Sequence, residues 1–105
     1  MQIVFEDKDL EELILTGQSN KYKKLSKDQR FMQALTRVYN TMSATVSAPK
    51  LSQWSFLHYE KLKGNELSSV RVMNGRVERI IFRETEQGLV IIIIELDEKH
   101  YGNKK

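Results

Sequence analysis

Two histidines, His58 and His100, flank a stretch dense in arginine: Arg71, Arg76, Arg79 and Arg83. Lys61 and Lys63 follow the first histidine closely, and Lys99 and Tyr101 bracket the second. These side chains suit phosphate and proton chemistry. Cleaving an RNA phosphodiester takes a base for the ribose 2′-hydroxyl and an acid for the leaving 5′-oxygen. It also takes fixed positive charge where the pentavalent phosphate gathers negative charge. Histidine, lysine and tyrosine can move protons, and arginine presents a planar fork to phosphate oxygens. No glycine-rich phosphate loop, Ser/His/Asp set or paired acid dyad points to another chemistry. Neither histidine has a carboxylate or histidine at ligand spacing, so the sequence gives no reason to expect a metal or another cofactor. Either histidine alone would pass for an ordinary surface residue. What matters is whether the fold gathers the set.

The stretch from Leu67 to Leu96 must do the gathering. It reads as three strands with turns at Asn74-Gly75 and Gln87-Gly88, the former a strong hairpin signal because both residues tolerate positive φ. Val, Ile and Phe fill the strands, as a pleated surface prefers. Two registers compete at the first turn. A two-residue loop pairs Met73 with Arg76, sets Arg71 opposite Glu78 and leaves Arg79 on the other face. A three-residue loop pairs Met73 with Val77. It puts Val70, Val72, Ile80 and Phe82 on one face and Arg71, Arg79 and Arg83 on the other. A one-residue slip exchanges whole faces, so only one register buries an apolar side well. The second sorts the residues more cleanly and predicts a cationic face, although polar-out alternation is also the ordinary dress of a half-exposed sheet.

The 105 residues predict a single domain over 1–105 with one core. No cysteine is present, which fits a reducing compartment. The apolar run Leu89 to Ile94 is far short of the ~20 residues of a membrane-spanning helix. The N-terminus also lacks the build of a signal peptide. The expectation is a cytoplasmic protein with no membrane partner. Net charge is only +3, from 17 basic and 14 acidic side chains. The basic residues nevertheless cluster at Lys21–Lys27, Lys61–Lys63, Arg71–Arg83 and the last seven positions, as a nucleic-acid footprint would require.

Upstream, Gln2–Phe5 is β-prone and suits a strand beside Leu89–Ile94, which is apolar on both sides and belongs inside a sheet. Asp7 or Asp9 can cap a helix carrying Leu10, Leu13 and Ile14 that stops at Gly17. Ser26 and Gln29 have capping-box spacing, and Phe31, Leu35, Val38 and Met42 give the next helix, to about Ser43, a buried stripe. The connection through Pro49 has at most one helical turn around Lys50–Trp54, with Trp54 as its hydrophobic anchor. The whole is predicted α+β: an N-terminal strand and helical hairpin packed on an antiparallel three-strand meander, with about four strands.

These elements, in this order, resemble the RelE/ParE superfamily of bacterial toxin–antitoxin toxins, most closely its HigB-like branch. The likeness rests on L-H-Y-E-K-L-K-G at Leu57–Gly64, on S-S-V-R-V-M-N-G-R-V-E-R-I-I-F at Ser68–Phe82, and on E-K-H-Y-G-N-K near the C-terminus. It implies a RelE-like fold and a metal-independent, ribosome-dependent mRNA endonuclease, restrained by a cognate antitoxin of helix-turn-helix type. Arg79 would then stabilise the transition state, and Arg71 would stand on the preceding strand. Lys63 (or its neighbour Lys61) and His58 would serve from the loop, and His100 and Tyr101 from the tail. Arg76, Arg83, Lys61 and Lys99 would add RNA contacts. The insertion of Tyr59-Glu60-Lys61 and the acid Glu78 before Arg79 depart from the family pattern. A gyrase-inhibiting toxin of the ParE kind and a non-catalytic RNA- or partner-binding module are the other readings.

Overall fold

A computed structural model describes residues 1–62, 66–86 and 88–96, the last five by backbone alone. The order is β1 (Gln2–Phe5), α1 (Lys8–Thr16), α2 (Lys23–Ser26), α3 (Gln29–Ala44), 3₁₀ segments Ala48–Gln53 and Ser55–Leu57, β2 (Glu60–Lys61), β3 (Leu67–Arg71), β4 (Glu78–Glu84) and β5 (Gly88–Leu96). The fold is α+β. Its sheet has five strands in the order β1-β5-β4-β3-β2, not the four expected. The extra member is β2, a two-residue edge strand too short for any periodicity to reveal. As expected, β5 lies inside the sheet, flanked by β4 and by β1, which runs parallel to it.

The three-residue-loop register is the one found. Val70 stands opposite Ile80 and Arg71 opposite Arg79, and the Arg76 N–H closes the turn onto the Met73 carbonyl at 3.3 Å. Gly75 takes φ +80°, which the turn needs and an L side chain resists. At the other turn a different constraint holds. A Cβ on Gly88 would sit 1.8 Å from the backbone oxygen of Gln2, so glycine is what lets β1 lie this close. Between Ile81 and Phe82 the β4–β5 ladder slips by one residue: Ile81 faces Ile93 and Phe82 faces Ile91. Such bulges sharpen the local twist.

One side of the sheet is covered. Phe31, Leu35, Val38 and Met42 of α3 and Leu10 and Leu13 of α1 pack with Val70, Val72, Ile80, Phe82, Leu89 and Ile91 in one buried cluster. Fully burying such a side chain contributes about 1.5–3 kcal/mol. Asp7 caps α1, accepting from the backbone N–H groups of Asp9 and Leu10 at 3.0 and 3.3 Å, and Gly17 ends it at φ +80°. Burial raises the Asp7 carboxyl, but the Tyr22 hydroxyl and the Lys21 ammonium outweigh that and hold it below its usual range.

Three local expectations change. The connection through Pro49, expected to hold at most one helical turn around Lys50–Trp54, carries two 3₁₀ segments, Ala48–Gln53 and Ser55–Leu57. Ser26 does not cap the long helix. It ends the single-turn α2, bonding back to the Lys23 carbonyl, and Asp28 caps α3 instead, accepting from the Phe31 N–H at 3.1 Å. A carboxylate is a strong acceptor at this position, and Asp28 also engages Arg76. Trp54 is 39% exposed, its indole N–H on the Thr45 hydroxyl at 3.1 Å. Leu51 and Leu57, both fully buried, anchor the connection in its place. No helix among the described residues is long and apolar enough to cross a membrane.

Candidate functional site

Strand alternation places Arg71, Arg79 and Arg83 on the side of the sheet away from the helices, as the favoured register requires. Arg71 and Arg79 are direct cross-strand partners, a spacing of ~5 Å between Cβ atoms. Two like charges at that distance weaken a sheet unless something negative joins them. Glu60 brings such a charge to Arg79: its carboxylate lies 3.0 Å from a guanidinium nitrogen of that residue. Ile81 and Ser69, both buried, occupy the same side between the arginines, outside the main core cluster. Ser69 is wholly covered, and its hydroxyl has no hydrogen-bond partner. Further along, Arg83 reaches Glu6 at 3.5 Å. The face is thus basic in its strands and trimmed with acids at its borders.

His58 stands at the end of the second 3₁₀ segment in the left-handed region, at φ 47°. Its Nε2 lies 3.2 Å from the Asn74 side-chain oxygen, so the exposed imidazole is tied to the β3–β4 turn. Two residues before Glu60, it is level with Arg71 if the Glu60↔Ser69 register is continued. His58 thus stands at the β3–β4 turn, which begins just after Arg71 and ends just before the start of β4 that carries Arg79.

Other expected site residues lie elsewhere. Lys61 falls on the helix side, where its ammonium is 3.6 Å from Glu84. Arg76 is also on the helix side. Its guanidinium lies over the Phe31 ring at 5.5 Å and pairs with Asp28 at 2.8 Å and Glu78 at 3.0 Å. The bond to Asp28, then that to Glu78, raises the pKa of Arg76, and Arg76 in turn lowers that of Asp28. So placed, Arg76 joins the start of α3 to the start of β4. Lys63, Lys99, His100 and Tyr101 lie outside the described residues.

Two acids escaped sequence reasoning. Glu60 is one; the other is Glu84, the hub of a compact network. It accepts from the Tyr59 hydroxyl in a short hydrogen bond and from the Ser68 hydroxyl at 2.8 Å, with Lys61 close by. Burial pushes Glu84 up, but the bonds from Tyr59 and Ser68 and the Lys61 charge prevail and leave it below its usual value. Burial, then the Glu84 carboxylate, pushes the Tyr59 phenol up to about 12. The alternation Tyr59-Glu60-Lys61 was the available signal, but it is visible only once the short stretch is known to pair. Among the described residues, no three His, Asp or Glu side chains cluster so as to hold a metal ion.

No protein-family model matches the chain, and no curated protein matches it in sequence.

Proposed function

We propose that the chain is an endoribonuclease toxin of RelE-like architecture that cuts mRNA on the ribosome and is held in check by a cognate antitoxin. The observation carrying this reading is the Arg71–Arg79 pair, two arginines directly opposite each other on β3 and β4, on the side of the sheet away from the helices. Adjacent cations suit a ligand with several anionic oxygens, and the pentavalent phosphate of 2′-hydroxyl attack is such a species. His58, tied to the β3–β4 turn that follows Arg71, adds an imidazole beside this end of β3. The resemblance of the Leu57–Gly64 and Ser68–Phe82 segments to HigB-like toxins supports the same conclusion. The order of the strands, with the N-terminal strand beside the last and the meander beyond it, is compatible with it.

The test is purified protein with ribosomes and mRNA. Cuts at fixed codon positions are expected, and they should vanish when the attacked nucleotide carries a deoxyribose. Cleavage at that deoxy site would remove the 2′-oxygen from the mechanism. Gyrase-linked DNA breaks without RNA products would favour the ParE-like alternative, and salt-sensitive RNA binding without products the non-catalytic one.

A further inference from the structure

The short strand β2 is fixed from one side and presents a carboxylate on the other. Tyr59 and Lys61 both turn to the helix side and meet Glu84, which also holds Ser68 of the neighbouring strand. Tyr59 stacks there on Phe82, with ring centroids 6.3 Å apart. With its two neighbours tied inward, Glu60 is directed outward by strand alternation. It is 53% exposed, whereas the Arg79 side chain it grips is 10% exposed. An anion approaching Arg79 from solvent therefore meets a carboxylate first. Ser69, the cross-strand partner of Glu60, offers a covered hydroxyl that Glu60 does not use.

We infer that Glu60 is a positioning residue and a built-in competitor: it holds the Arg79 fork in place in the free protein and is displaced by an RNA phosphodiester, whose oxygens then take both Arg79 and the Ser69 hydroxyl. This rests on the RNA-directed reading above and specifies how its site is controlled. The bond described from Glu60 engages one guanidinium nitrogen and leaves the Ser69 hydroxyl unused. A phosphodiester can set one non-bridging oxygen on the guanidinium and the other on that hydroxyl. The contact would keep the arginine ordered while discouraging weak polyanion binding.

Binding, separated from cleavage, tests this. The probe is a fluorescent RNA oligonucleotide with every 2′-hydroxyl methylated, titrated into the full chain, Glu60→Gln, Arg79→Ala and the double variant. Glu60→Gln should bind about fivefold tighter, the scale of one partly exposed ion pair. The gain should disappear in the Arg79→Ala background, and Ser69→Ala should weaken binding by Glu60→Gln. Equal or weaker binding by a folded Glu60→Gln, or a gain that survives Arg79→Ala, would overturn the inference. A readout on the unsubstituted chain covers the case where a variant fails to fold. The Glu60 carboxyl ¹³C resonance should move toward that of a solvated carboxylate as the oligonucleotide saturates, and a resonance unmoved at saturation would contradict displacement. If binding behaves as expected and ribosomes with mRNA give no cuts, the nuclease reading fails alone. If cuts appear and Glu60→Gln gains nothing, only the competitor role fails.

Discussion

The two faces of the sheet share the same strands, residue by residue, and solve opposite problems. On the helix side, Val70, Val72, Ile80 and Phe82 disappear into a cluster with α1 and α3, and the charged groups at its margin are tied off. Arg76 is locked between Asp28 and Glu78, and Glu84 is surrounded by Tyr59, Ser68 and Lys61. On the other side, Arg71 stands opposite Arg79, and Glu60, which pairs with Arg79, comes from an edge strand only two residues long. The contrast is the ground for the proposal that one face serves folding and the other a ligand.

The largest effect on stability should follow from injuring the covered face. Phe82→Ala removes a fully buried ring on which Tyr59 stacks, and it should cost about 3–5 kcal/mol in urea unfolding. A loss below about 1 kcal/mol would mean that the core does not depend on the sheet as described. A smaller effect should come from the margin, read through pH. The Glu84 carboxyl lies below its unfolded value, so its contribution is present above pH 4.5 and fades as pH falls through the depressed folded value. The Tyr59 phenol is raised from 10.0 to about 12, so its contribution is complete below pH 10 and lost as pH climbs between those values. Urea midpoints should thus plateau across neutral pH and fall at both ends. Tyr59→Phe should lose about 1 kcal/mol on the plateau and the alkaline decline attributable to that group. An unchanged alkaline limb would detach Tyr59 from the network.

Alternation made much of this readable in advance. Once Asn74-Gly75 is granted a three-residue loop, the period of two alone separates Val70, Val72, Ile80 and Phe82 from Arg71, Arg79 and Arg83, because only that register hides the apolar set. The position of β5 followed from its lack of a polar side. What stayed hidden depended on contacts between distant segments. Nothing local marks Glu60-Lys61 as a strand, since two residues carry no period; its existence depends on pairing with Ser68 and Ser69. Arg76 looked like part of the basic surface because its charge was visible, while its partner Asp28, 48 residues away, was not. Ser26 and Gln29 imitated a capping box, yet the adjacent carboxylate of Asp28 took the helix end. The sequence shows which residue types are available; which cations are already engaged depends on the fold.

The division between faces is tested most directly by Arg79→Ala, assayed for both stability and cleavage in one preparation. Glu60, the described acid it leaves behind, is half-exposed and can hydrate, so the unfolding free energy in urea should stay within about 1 kcal/mol of the parent. Cleavage of ribosome-bound mRNA should fall about 10²–10³-fold, the usual loss when a group stabilising transition-state charge is removed. A folded Arg79→Ala protein that cuts at the parental rate would contradict the account.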